Sequence, residues 1–417
     1  MSRRPPFEPA DYAYELEKSG DYASTDQLLH HWTGTHWSMI DDDTGMRLAL
    51  RWIADGGHGI VNAANAKVTQ QTALLWLPAL KPPDKAALIP VQNGYLHLDG
   101  CPTLHPHDKK LGLRHVLCCD YDPGAPAPEG FEKLLARILP DLEVRNRVQE
   151  YIGYTLLPDA RFHLAQIWLG SGANGKGTLA NIVQALHERK AAASPSKLDG
   201  FHAAIVLGAS LLYCDEAPQQ DWCEQTIKTM IAGELVSVDR KYLPAISTRV
   251  SGKWLILANH IPTIKDQSDG FWRRFDIVPF SVSIPASERD PLLADHIINH
   301  ELTGVLNWAV EGLQRLLARN RFGTLPPAMK VALQAARTET NSVHAWVNDD
   351  GINRTLTADT SKSEVYAAYA TWCRGNGMAP VASPKFWKRL PDSLGKVVEG
   401  RAFTKSGRIR TCNVRLP

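Results

Sequence analysis

Gly170-Ser-Gly-Ala-Asn-Gly-Lys-Gly-Thr178 stands between an apolar run, His163-Leu-Ala-Gln-Ile-Trp-Leu169, and a stretch with helical spacing, Leu179-Ala-Asn-Ile-Val-Gln-Ala-Leu186. Strand, glycine-rich loop and helix in that order make a phosphate cradle. The loop's backbone N–H groups and the positive end of the helix both face a phosphate chain. Glycine is needed because a side chain would block the approach. Gly170, Gly172, Asn174, Gly175, Lys176, Gly177 and Thr178 are therefore candidate nucleotide-binding residues, with Lys176 reaching the terminal phosphates. Gly170, Gly172 and Gly175 also fit the G-x-G-x-x-G dinucleotide fingerprint. That reading expects an acid at the end of the next strand, about 20 residues on. Asp199 is near that distance but follows Ser194-Pro-Ser-Lys-Leu198, which reads as loop. Lys176 directly behind Gly175 favours a nucleoside triphosphate. The triphosphate pattern wants Ser or Thr after the lysine, for magnesium. Here Gly177 takes that place and the hydroxyl follows at Thr178.

Three downstream stretches extend the reading. Leu211-Leu-Tyr-Cys214 is an apolar run ending in Asp215-Glu216. In phosphate-loop ATPases an aspartate at a strand end holds magnesium, and a glutamate beside it can polarise the attacking water. The alternative is an ordinary strand followed by an acidic loop. Lys253-Trp-Leu-Ile-Leu-Ala258 runs into Asn259, an amide able to orient water or the γ-phosphate, or simply to start a turn before Pro262. Asp269-Gly-Phe-Trp-Arg-Arg-Phe275 offers Arg273 and Arg274 among aromatics. Such arginines stabilise charge in phosphoryl transfer, often from a neighbouring subunit; the alternative is a basic surface turn.

In this order the four signals, from about Arg161 to Phe280, resemble the ATPase core of superfamily 3 DNA helicases. The likeness is to the helicase part of phage and plasmid primases and of the poxvirus primase-helicase. A fifth stretch, Lys228-Thr-Met-Ile-Ala-Gly-Glu-Leu-Val-Ser-Val-Asp-Arg-Lys241, is similar to that family's own element. The resemblance implies a β-hairpin entering a ring's channel, with Lys241 and Lys228 as DNA contacts. It also implies an AAA+-like α/β core, ATP and magnesium, a homo-oligomer of hexameric form, and 3′-to-5′ travel. Leu88–Leu98, Leu142–Leu156 and Gly304–Leu313 extend the likeness to roughly residues 85–345. The leading ~90 residues are too short for the primase module of many relatives, so no priming activity is expected.

Net charge is +2 over 417 residues, with 44% apolar and 22% charged side chains, ordinary for a soluble globular protein. No apolar run reaches about 18 residues, so no membrane span is expected. The start, Met-Ser-Arg-Arg-Pro-Pro, does not lead into an apolar secretion signal. The seven cysteines form no metal-like set and read as reduced cytoplasmic thiols. The charge distribution says more than the total. Residues 351–417 hold 12 Lys/Arg against 4 Asp/Glu, which points to a polyanion-binding module. There Ser361-Lys-Ser-Glu364 reads as a capping box opening a helix through Trp372. A second helix, Ser383–Leu390, carries Lys385, Lys388 and Arg389. A strand–basic turn–strand with Arg408 follows. Helix, helix and wing suggest a winged helix, whose second helix can enter a duplex major groove. The alternative is a small α+β interaction module with a solvated basic face.

Five segments are expected: an N-terminal α+β region (1–122), a helical collar (123–157), the ATPase core (158–285), a helical extension (286–345) and the winged helix (346–417). Residues 86–100 read as a hairpin turning at Asn93-Gly94, and Asp41-Asp-Asp43 as a loop. The function expected is ATP-dependent unwinding in replication of a phage, plasmid or integrated element. A sequence-specific replication initiator, or a stand-alone phosphotransferase, stays open.

Overall fold

A computed structural model describes residues 7–417, apart from 82–85, 220, 241–242, 263, 267, 350, 377, 379 and 405–406. The chain divides into two units, one running up to His260 and resuming over Ser268–Met329, the other made of Ile261–Gln267 and Lys330–Pro417.

The first unit opens with α1 (Pro9–Ser19), an antiparallel sheet β1 (Tyr22–Thr25), β2 (Leu28–Trp32) and β3 (Trp37–Ile40), then α2 (Asp42–Asp55) and α3 (Ala63–Trp76). Tyr12, Ala13, Leu29, Ala49, Ala73 and Leu77 form a small core among these N-terminal elements. The acidic run 41–43 is a helix start rather than a loop. The Asp41 carboxylate accepts the Thr44 N–H at 2.9 Å, and Asp42 and Asp43 sit in the first turn, where the helix dipole favours negative charge.

A second antiparallel sheet holds β4 (Leu88–Val91), β5 (Gly94–His97) and β6 (Thr103–His105). The expected hairpin is present, with its turn shifted by one residue. Val91 pairs with Gly94, so Gln92-Asn93 make the turn. Gly94 serves the sheet instead: a Cβ there would lie 2.2 Å from the His105 carbonyl oxygen. The Asn93 amide is used across the chain, accepting from Tyr121 N and donating to Tyr121 O, both at 3.0 Å.

α4 (Glu129–Ile138) and α5 (Leu142–Thr155) follow, with Leu134, Leu135 and Ile138 buried on one face as their spacing predicts. Then come β7 (Ala165–Leu169), α6 (Lys176–Ala185), β8 (Lys190–Ala192), β9 (Leu211–Cys214), α7 (Glu224–Ile231), the hairpin β10 (Leu235–Arg240) and β11 (Leu243–Arg249), β12 (Lys253–Ala258), α8 (Asp269–Trp272), β13 (Phe275–Pro279) and α9 (Leu293–Arg319). The sheet is parallel, in the order β13-β7-β12-β9-β8. β7 and β12 are near-continuous apolar runs because both faces are covered. α5 and α9 approach closely through two glycines: a Cβ at Gly153 would meet the Ala309 carbonyl at 2.4 Å, and one at Gly312 the Gln149 carbonyl at 2.6 Å. α5 is also tied to the sheet. The buried Arg147 guanidinium donates to both Asp276 oxygens, at 2.6 and 3.1 Å, and the Tyr151 hydroxyl donates to Trp254 O at 2.5 Å.

The second unit contains most of α10 (Pro327–Thr340), then α11 (Ser342–Asp349), β14 (Asn353–Arg354), β15 (Thr360–Ser361), α12 (Lys362–Gly375), α13 (Ser383–Leu394), β16 (Glu399–Thr404), β17 (Gly407–Cys412) and β18 (Val414–Arg415). Trp346, Val365, Tyr369, Phe386, Leu390, Cys412 and Val414 centre its core. Ser361 stands at the N-cap of α12, but the capping-box bond is not made; its hydroxyl lies 2.7 Å from the Ser363 hydroxyl instead.

Candidate active site

The loop after β7 is built as its glycines require. Gly172 and Gly175 have φ of 104° and 77°, a region costly for side chains, and a Cβ at Gly175 would lie 2.5 Å from Ile138 Cγ2. The buried Asn174 amide donates to Phe280 O at 3.3 Å, pinning the loop to the end of β13. α6 begins at Lys176, so its free N–H groups open onto the loop.

Lys176 is the centre of the arrangement. Its ammonium donates to Gly170 O and to Asn259 Oδ1, both at 2.7 Å. Burial lowers its pKa, while the Asp215 and Glu216 carboxylates oppose that shift. The strand order explains how residues so far apart in sequence meet. β12 lies between β7 and β9, with Ala258 level with Leu169 and Ile256 level with Cys214. The residues just past those three strand ends are Gly170, Asn259 and Asp215-Glu216, on the C-terminal edge where open α/β sheets bind ligands. Both carboxylates and Asn259 are exposed there.

The donor set fits a magnesium–triphosphate pair. Asp215 is an exposed carboxylate, Thr178 is half-buried as the third residue of α6, and a Cβ at Gly177 would meet nothing within 4 Å. Crowding is therefore not why glycine replaces a hydroxyl residue there. The dinucleotide alternative finds no support in the same geometry. The strand after α6 is the short edge strand β8, and Asp199 lies beyond it, directly before a 3-10 turn over Gly200–Val206.

Arg273 and Arg274 follow α8 and differ in environment. Phe271, Trp272 and Phe275 are buried and hold the turn, with Phe271 and Phe275 stacked at 4.7 Å. Arg274 is half-buried, and its guanidinium donates back to Gly270 O. Arg273 is exposed. Phe275 pairs with Ala165, the first residue of β7, whereas the phosphate loop follows Leu169 at the other end. The two arginines thus stand at the edge of the sheet opposite their own phosphate loop, about 13 Å away along the strand.

Of the residues expected to touch DNA, Lys228 lies on α7, half-buried, rather than on the hairpin. The hairpin itself is present as β10 and β11, and Lys241 lies outside the described residues. Lys385, Lys388 and Arg408 are exposed in the second unit. Arg389 is buried and donates to Lys265 O at 2.8 Å, a use within the fold that its helical position did not suggest.

Sequence reasoning missed Arg240. Val236, Val238, Ile246 and Thr248 make the hairpin's buried face, and Arg240 continues it at 7% exposure. Its guanidinium donates to Gln27 O at 3.2 Å and Asp42 Oδ1 at 3.2 Å, while Thr248 donates to Asp26 Oδ2 at 2.8 Å. Asp26 and Gln27 form the β1–β2 turn with φ of 53° and 59°, both left-handed and neither glycine. The period-two alternation of β10 was the available signal, since it places Arg240 on the valine face. A two-stranded ribbon is marginal alone, so this grip by the N-terminal module supports it. Asp42→Asn is expected to lower unfolding stability by roughly 1–3 kcal/mol, because Arg240 keeps its burial and loses its counter-charge. Denaturant unfolding measures this; an unchanged midpoint would show that the grip carries no load.

Residues 168–274 match a family of unknown function, DUF5906. A putative helicase, L207/L206, of Acanthamoeba polyphaga mimivirus is 25% identical over 218 residues, covering 46% of this chain and 22% of that protein. The chain is similar in three dimensions to the apo structure of the NrS-1 C-terminal region, with TM-score 0.55 and 12% identity over 97% of this chain and 98% of that one. Another apo structure of that region, residues 305–718, gives TM-score 0.55 and 14% identity over 98% and 100%. At such identity the structural likeness establishes a shared fold, an α/β core around a parallel five-stranded sheet.

Proposed function

We propose that this chain is an ATP-dependent DNA helicase of the superfamily 3 type, acting as a homo-oligomeric ring in replication of a mobile element. The observation that carries the reading is the Lys176 ammonium held between Gly170 O and Asn259 Oδ1, beside the carboxylates that end β9. The mimivirus relative is named a putative helicase, which agrees with it.

In this reading the loop amides and Lys176 hold the ATP phosphates. Asp215 and Thr178 would hold magnesium, which would supply positive charge for phosphoryl transfer. Glu216 accepts a proton from the attacking water, and Asn259 contacts the γ-phosphate while fixing the lysine. Arg273 completes a neighbour's site. The core would span 158–285, between the collar and the helical extension. The β10–β11 hairpin, together with Lys241 and with Lys228 on the preceding helix, would grip one strand in a hexamer's channel during 3′-to-5′ travel. The C-terminal segment, read as a winged helix, would bind duplex through Lys385, Lys388 and Arg408.

Strand displacement from a forked duplex tests the proposal: ATP-dependent release of the displaced strand is expected. ATP hydrolysis and duplex binding without release would favour the replication initiator, which the basic tail supports equally well. Hydrolysis indifferent to DNA would favour a phosphotransferase.

A further inference from the structure

The hairpin of β16 and β17 has an outward face of which the duplex reading of the tail uses only Arg408. Arg401 pairs with Arg410, and Phe403 with Arg408. Side chains at alternate positions share a face, so these four stand together, and all four are exposed. Two arginines directly opposite each other repel, which destabilises a ladder unless an anion lies across them. The acid on this face, Glu399, is already engaged: the Lys362 ammonium reaches it at 2.5 Å. Among the described residues no carboxylate pairs with Arg401, Arg408 or Arg410. Phe403 is 83% exposed, with the Arg408 guanidinium 5.8 Å from its ring centroid.

An isolated exposed ring is unremarkable, and so is a basic turn. Their combination on one face has a specific chemistry. Arginines bind phosphates without regard to sequence, while an exposed ring stacks on any base that is not already paired. Duplex bases are stacked on each other and offer the ring nothing. The face also continues past Glu399. Lys362 lies 4.2 Å from the centroid of the Trp387 ring on α13, so aromatic, basic and aromatic groups follow one another.

We propose that this face is a platform for single-stranded nucleic acid. Phe403 stacks on an unpaired base, and Arg401, Arg408 and Arg410 take the adjoining phosphates. The tail would then engage a duplex end together with the strand leaving it. This rests on the nucleic-acid reading of the tail and adds a second substrate class to it.

The full chain tests this with three labelled probes: oligothymidylate, a blunt duplex and a polyglutamate peptide. Phe403→Ala is expected to weaken oligothymidylate binding about tenfold, to leave blunt-duplex binding unchanged, and to leave ATP hydrolysis without DNA unchanged. Phe403→Trp should keep the parental affinity, since the ring is preserved. Arg401→Glu with Arg410→Glu should weaken the same binding and lower its salt slope by about 1.4. Equal losses on single strand and duplex would make the ring a fold element and overturn the proposal, as would parental oligothymidylate binding by Phe403→Ala. So would tight, Phe403-dependent binding of polyglutamate in place of oligothymidylate. If the parent fails to unwind a fork yet keeps ring-dependent single-strand binding, the helicase reading falls and the platform stands.

Discussion

Lys176→Ala is expected to abolish ATP turnover and to weaken nucleotide binding, whereas Glu216→Gln should abolish turnover and leave binding intact. The two outcomes differ because the groups act at different stages. The Lys176 ammonium is already aimed by bonds of 2.7 Å to Gly170 O and Asn259 Oδ1. In the proposed function it meets phosphate charge in the bound state and again as that charge shifts in the transition state. Its removal therefore costs affinity as well as rate. Glu216 is exposed just past the end of β9 and is assigned to water, which reacts only in the chemical step. Losing one preorganised electrostatic group costs ~10²–10³ in turnover, so both variants should fall to background. Steady-state hydrolysis with equilibrium binding of a fluorescent ATP analogue separates them. Near-parental hydrolysis by Glu216→Gln would move the proton-accepting role to another residue.

The phosphate loop and the strands that serve it were legible for a physical reason. Each of β7, β9 and β12 is a mainly apolar run; β7 leads into the glycine-rich loop, while β9 and β12 run into Asp215-Glu216 and Asn259, polar groups that no core would accept. The triphosphate preference over a dinucleotide rested on Lys176, and the fold gives that lysine its partners. Several features had no such signature. Lys253 opens β12 fully buried; its ammonium donates to Leu157 O beside the Tyr154 ring, and burial pushes its pKa down to about 7. Nothing in a lysine at the start of a strand announces that. The Arg147–Asp276 pair joins residues 129 positions apart, a separation at which spacing carries no information. The sequence points to a turn at Asn93-Gly94 because the dipeptide signal speaks for local conformation, while the approach of β6 that places Gly94 in the sheet is tertiary. One motif spans both Lys228 and the hairpin in the sequence, whereas in the fold a helix ends between them.

The remaining prediction concerns the two arginines, which the sequence left equivalent. Arg274 is tied back to Gly270 O and half-buried, so its removal should mainly disturb the α8 turn. Arg273 is exposed at the edge of the sheet away from its own phosphate loop. An arginine there cannot reach its own γ-phosphate by rotating a side chain, but it can reach one presented by an adjacent copy. Arg273→Ala is therefore expected to lower turnover by ~10³-fold or more, the usual worth of such an arginine in phosphoryl transfer. Folding and nucleotide binding should be unchanged. The decisive form of the experiment mixes two inactive proteins. Arg273→Ala keeps a complete phosphate loop, and Lys176→Ala keeps a complete arginine. A mixed oligomer contains interfaces where the intact loop faces the intact arginine, so hydrolysis should reappear in the mixture. It should also depend on the mixing ratio, with a maximum between the two pure proteins. Subunit exchange is checked separately by energy transfer between labelled copies. An inert mixture in which exchange has occurred would place the arginine's action within its own chain, against the sheet geometry, and would remove the main reason for proposing a composite site.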